Sequence, residues 1–89
     1  MGRLCIHPSA LIRELGAESV LLHLDSGAYY GLNEVGTRVW QLIAEHGDID
    51  RVKAAILSEY DVAPTQLTSD LDDLVAGLLE KRLLTVEVG

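Results

Sequence analysis

Cys5 and His7 stand two residues apart in a chain with one cysteine and three histidines. Thiolate and imidazole are ligands of a zinc site, and they are also the nucleophile and base of a cysteine hydrolase. A structural zinc site needs four such donors, and His23 and His46 are scattered along the chain with no ligand spacing to Cys5 and His7. A catalytic cysteine needs an oriented acid and a turn of backbone amides for the developing oxyanion, and no glycine-rich turn accompanies Cys5. These residues imply no metal, no cofactor and no catalysis. Cys5 is expected to be a small buried hydrophobe. Being alone, it cannot close an internal disulfide, which agrees with a reducing compartment.

A second group of residues suits binding rather than reaction. Tyr29, Tyr30 and Gly31 precede Asn33, Glu34 and Trp40, and a later segment carries Asp70, Asp72, Asp73 and Glu80. The charge of this second group is that of the whole chain, which has 14 acidic against 7 basic residues and a net charge of -7 over 89 residues. Such a chain repels phosphate backbones and anionic lipid, so nucleic acid and membrane are poor partners, whereas a basic or apolar peptide fits. The length predicts one small domain, residues 1–89, with little room for a deep catalytic cleft. No apolar run is long enough to span a bilayer and the first residues lack a signal-peptide pattern, so a cytoplasmic location is expected.

The elements that must position these residues follow from periodicity. Residues 4–7 and 11–15 read as short strands around the Pro8-Ser9 turn. From 19 to 25, Val20, Leu22 and Leu24 point one way and Leu21, His23 and Asp25 the other, which marks a one-sided sheet. The Asp25-Ser26-Gly27 turn then leads into the two tyrosines, making a hairpin. Asn33 caps a first helix, with Glu34 at its positive end and Val35, Val39, Leu42 and Ile43 along one stripe. Trp40 lies in that stripe and is expected in the core. Gly47 ends this helix and Asp48 caps a second, with Ile49, Val52, Ile56 and Leu57 facing inward up to Tyr60.

Pro64 opens the third and longest helix, whose apolar positions are Leu67, Leu71, Leu74, Val75, Leu78 and Leu79, reaching Leu83. Residues 84–88 alternate as a strand would, though so short a segment also suits a frayed tail. A small antiparallel N-terminal sheet followed by three helices is an α+β, winged helix-turn-helix-like scaffold. A DNA-binding regulator on that scaffold would offer basic residues from its third helix. This one exposes Asp70, Asp72, Asp73 and Glu80, with Lys81 and Arg82 only at its negative end, where they complement the dipole.

The run Tyr29-Tyr30-Gly31-Leu32-Asn33-Glu34-Val35-Gly36, continued by Val39-Trp40-Gln41-Leu42-Ile43, resembles the signature of PqqD-like proteins, the recognition elements of ribosomally synthesised, modified peptides (RiPPs). Tyr60-Asp61-Val62, Pro64 and the later leucines through Leu83-Leu84 extend the resemblance over nearly the whole chain. The paired tyrosines and free-standing length are most similar to the small leader-binding members of lasso-peptide pathways. The resemblance implies a non-catalytic module that captures the leader of a precursor peptide and presents it to a separate cysteine-type leader protease, with the lasso cyclase an indirect partner. A peptide chaperone for another RiPP-modifying enzyme is the alternative within the family. In the family the leader adds as an antiparallel strand on the third strand of the sheet and lies against the third helix, which maps onto residues 28–32 and 64–79.

Elementary physics favours the same place, because an edge strand offers unpaired amides and carbonyls while pockets between strand and helix read alternate side chains. The candidate leader-binding residues are therefore Ala28, Tyr29, Tyr30, Gly31 and Leu32 from the strand and Leu67, Asp70, Leu71, Leu74 and Leu78 from the helix. Tyr30 is expected in the core, with Tyr29 on the other face either shielding the sheet or touching the leader. Asp70 would orient a leader lysine or arginine, and about half of the leucine stripe is expected to be core. A free edge also permits pairing with a second copy, so a homodimer is a further expectation.

Overall fold

Asn33 ends a strand and starts a helix, because its side-chain oxygen accepts the Gly36 amide at 2.8 Å and so satisfies a donor that the first helical turn leaves open. The structure, a computed structural model, describes residues 2–87. The strands are β1 (Arg3–Ile6), β2 (Ala10–Leu15), β3 (Glu18–His23) and β4 (Tyr29–Leu32), followed by helices α1 (Glu34–His46), α2 (Ile49–Glu59) and α3 (Pro64–Glu80) and a last strand β5 (Leu84–Glu87). The strand expected at 84–88 is thus present as far as Glu87, and Val88 lies outside the described residues.

The α+β winged scaffold holds, with its strands divided between two antiparallel sheets. One is the three-stranded meander β2-β3-β4, and the other pairs β1 with β5 across the whole chain, Leu4 opposite Val86 and Ile6 opposite Leu84. Gly47 connects the smaller sheet to the helices: it closes α1 at φ 70°, its carbonyl accepts the Leu4 amide at 2.8 Å, and a Cβ there would meet Arg3 at 2.7 Å. Both the left-handed backbone and the close approach of β1 require glycine. Asp48 caps α2 by accepting the Asp50 amide at 2.9 Å.

Alternation in β3 produces one buried and one open face, and the buried face is the one with the polar members. Leu21, Ser19 and His23 are buried, whereas Leu22 and Leu24 of the more apolar set are exposed. The reason is that each buried polar group has a partner. Ser19 Oγ and Thr37 Oγ1 share a hydrogen bond of 2.7 Å, and His23 Nδ1 accepts the Asp25 and Ser26 amides of the following turn. The His23 ring also lies against His7, centroids 4.6 Å apart. The core joins Leu21 and Leu32 of the sheet to Val39, Trp40 and Ile43 of α1, Val52 and Ile56 of α2, and Leu67, Leu71 and Leu78 of α3. Trp40 is 4% exposed, as its place in the helical stripe predicts.

Arg38 ties the outer surfaces of the first two helices together through a two-pronged contact to Glu59, Nε to Oε1 at 2.7 Å and Nη2 to Oε2 at 2.9 Å. Hydrogen bonding to Arg38 holds the Glu59 carboxyl below the usual carboxylate range, and the same bond raises the arginine. Gln41 extends the network to Glu14 of β2. Among the described residues no helix is long and apolar enough to cross a membrane.

Candidate functional site

β4 is an edge strand, bonded to β3 on one side only. The His23 amide donates to the Ala28 carbonyl at 2.8 Å, and the register continues with Leu22 opposite Tyr29, Leu21 opposite Tyr30, Val20 opposite Gly31 and Ser19 opposite Leu32. Hydrogen-bonded and non-hydrogen-bonded pairs alternate in an antiparallel ladder, so Tyr30 and Leu32 spend their backbone groups on β3. The N–H and C=O of Tyr29 and Gly31 consequently point away from the sheet at the open edge. Gly31 is exposed, and a Cβ built on it meets nothing within 4 Å, so the outer face of the sheet is open there.

Beside that edge lies an open groove of about 570 Å³. Tyr30, Gly31 and Leu32 form one wall, and Gln66, Leu67, Asp70, Leu71 and Leu74 of α3 form the other. Val35, Gly36 and Val39 of α1 line it between these walls, with Val62 from the loop before α3. Leu67 and Leu71 are buried at the base, 4% and 3% exposed, while Leu74 is half-buried. The lining is mostly aliphatic, with a polar element on the helix side: Gln66 Nε2 donates to Asp70 Oδ1 at 2.9 Å, which fixes the carboxylate at the margin. Apolar walls with a few placed polar groups are the usual makeup of a binding cleft.

Seven of the ten expected residues are brought together here: Tyr30, Gly31, Leu32, Leu67, Asp70, Leu71 and Leu74. Leu78 is wholly buried and belongs to the core, because this end of α3 packs against the chain that continues into β5, where Leu83 and Leu84 are buried beside it. Tyr29 is 71% exposed on the opposite face of the sheet and does not line the groove. Ala28 is half-buried, and its carbonyl is engaged by His23. Tyr30 is half-buried rather than sealed in the core, packed on the apolar cluster while its ring forms part of the groove wall.

Gly77 is a contributor that sequence reasoning did not single out. A Cβ at this position would stand 3.1 Å from Tyr30 Oη and 3.2 Å from Cε2, so the missing side chain is what lets the tyrosine ring lie against α3. A glycine inside an otherwise regular amphipathic helix costs about 1 kcal/mol relative to alanine, and that cost is the signal that marks such a position for inspection. Gln66 was legible in principle as a residue four before Asp70, the spacing that stacks two side chains on one helix face.

Cys5, the first candidate for chemistry, is half-exposed rather than buried. Partial desolvation and the neighbouring Glu87 carboxylate, whose Oε2 accepts from Sγ at 3.4 Å, push the thiol pKa up, opposite to what a nucleophile needs. Among the described residues no group of three histidine, cysteine or acidic side chains is placed to hold a metal ion.

An edge strand beside an apolar groove, on a winged α+β scaffold, is an arrangement suited to an extended peptide. The family model of coenzyme PQQ synthesis protein D, PqqD, matches residues 18–84, and the chain belongs to that family. It is a PqqD-like RiPP recognition element. Two solved structures are similar over almost their full length. TbiB1, in complex with the TbiA(beta) leader peptide, is 34% identical with a TM-score of 0.83, the match covering 94% of this chain and 98% of that one. A lasso peptide synthetase B1 complexed with its leader peptide is 25% identical with a TM-score of 0.80, covering 93% and 98%. No curated protein sequence matches the chain.

Proposed function

We propose that this protein captures the leader of a ribosomally made precursor peptide and presents it to a separate modifying enzyme, performing no chemistry itself. The observation that carries the reading is the juxtaposition of two features: the open β4 edge, with the backbone groups of Tyr29 and Gly31 free, and the aliphatic groove against α3. An extended peptide laid along β4 satisfies the edge, and every second side chain enters the groove. Backbone pairing supplies affinity and the groove supplies selectivity. Asp70 at the margin adds preference for a leader that carries a lysine or arginine near its apolar anchors.

The likeness to two chains that hold leader peptides supports the same reading and favours a lasso precursor. The enzyme served is a cysteine-type leader protease, with the cyclase acting after it, and the encounter takes place in the cytoplasm. Titration of fluorescently labelled leader tests the reading. The expected dissociation constant is micromolar or tighter, at least roughly 8 kcal/mol of binding free energy. A titration without a saturable signal contradicts it.

A further inference from the structure

The face of the β2-β3-β4 sheet that turns away from the helices carries most of the exposed large apolar side chains among the described residues. Among the described residues six large apolar side chains are exposed, and five of them, Leu11, Leu15, Leu22, Leu24 and Tyr29, belong to this face. The register makes the cluster continuous: Leu11, Leu22 and Tyr29 stand side by side across the three strands, next to the row of Arg13, Val20 and Gly31. Leu24 extends β3 on the same side, since its amide still donates to the Ser9 carbonyl at 2.9 Å. With exposures of 37% to 71%, these side chains offer on the order of 500 Å² of apolar area, the range in which a patch on a monomer usually serves an interface.

We propose that this outer face is the docking surface for the enzyme that acts on the captured peptide, a protein presenting an apolar surface with neutral or basic margins. The proposal rests on the peptide-binding reading above. Two observations select this occupant over a second copy of the chain. A face-to-face dimer would bring together two molecules of net charge -7, whereas a basic partner gains from the same field and a neutral one escapes the repulsion. The outer face is also continuous with the β4 edge. A strand added there alternates like any other, so side chains that do not enter the groove extend the outer face beside Tyr29 and Gly31. A protein seated on this face touches the captured peptide as well as the sheet, and it therefore binds the loaded form more tightly than the empty one.

The test uses the full chain, its cognate precursor and the separately purified cysteine-type leader protease. The double variant Leu11→Ser/Leu24→Ser removes two exposed leucines that line no part of the groove. It is expected to fold, to bind labelled leader as the wild type does, and to lose at least about tenfold in protease affinity and in stimulated leader cleavage. Leader binding with undiminished stimulation overturns this proposal alone. Sedimentation showing a wild-type dimer that the double variant splits into monomers also overturns it, because the face is then taken by a second copy. A wild-type protein that binds no leader, or leaves cleavage unchanged, refutes the peptide-delivery reading and this surface with it.

Discussion

Replacing Gly31 by proline separates the proposed edge pairing from everything else that position 31 does. The Gly31 amide lies on the open side of β4, so its loss removes no bond from the β3-β4 ladder, and a Cβ at position 31 meets nothing within 4 Å. Proline restricts the preceding Tyr30 to extended backbone, which a strand residue already has. Stability should therefore change by no more than about 1 kcal/mol. For the leader, one backbone hydrogen bond disappears and the carbonyl facing position 31 is left without its donor, a combined loss of about 1–3 kcal/mol. That corresponds to an affinity lower by between about fivefold and about 150-fold. Gly31→Ala is the control: its methyl has room and its amide remains, so affinity should stay within about threefold. Fluorescence anisotropy with labelled leader, alongside thermal unfolding of each variant, reads both quantities. A folded proline variant that binds as the wild type does refutes strand addition at this edge.

Three further outcomes follow from particular contacts. Gly77→Ala gains up to about 1 kcal/mol of helix propensity but pushes the Tyr30 ring from its 3.1–3.2 Å seat toward the groove. Stability should hold while leader affinity falls several-fold and the Tyr30 ring resonances shift; wild-type affinity would show that the ring does not shape the site. Arg82 adopts φ 58° just beyond α3, where the Leu83 amide reaches back to the Leu78 carbonyl at 2.9 Å. Arg82→Gly relieves that backbone and should raise the melting temperature by about 2–5 °C. For Glu59 the folded pKa is lowered, so the Arg38–Glu59 contribution is complete above the ordinary carboxylate range and is lost only as pH falls through the depressed value. An NMR titration of the Glu59 carboxyl should show that depressed midpoint, and Arg38→Gln should return it to the ordinary range.

Much of this was legible in the sequence because the signals are local. Asn33, Gly47 and Asp48 mark helix ends through bonds made within three or four residues, and all three make them. The pairing of β1 with β5 was not legible, since alternation within a strand says nothing about a partner at the far end of the chain. The buried face of β3 was hidden for a different reason. Val20, Leu22 and Leu24 are the more apolar set, but Ser19 and His23 are buried because Thr37 and the 25–26 turn amides satisfy them, and those partners appear only in three dimensions. The leucines of α3 show the same limit. They form one stripe in sequence, yet Leu78 is closed over by the chain entering β5 while Leu67, Leu71 and Leu74 face the gap beside β4.

The central claim is that a leader strand pairs with β4, and amide hydrogen exchange at individual residues addresses it most directly. In the free chain the Tyr29 and Gly31 amides face solvent, as do those of Ile12 and Glu14 on the opposite edge of the sheet, by the same alternation in β2. Saturating leader should slow exchange at Tyr29 and Gly31 and leave Ile12 and Glu14 unchanged. Protection at Ile12 and Glu14, or a saturated complex in which Tyr29 and Gly31 exchange as fast as in the free protein, would contradict it.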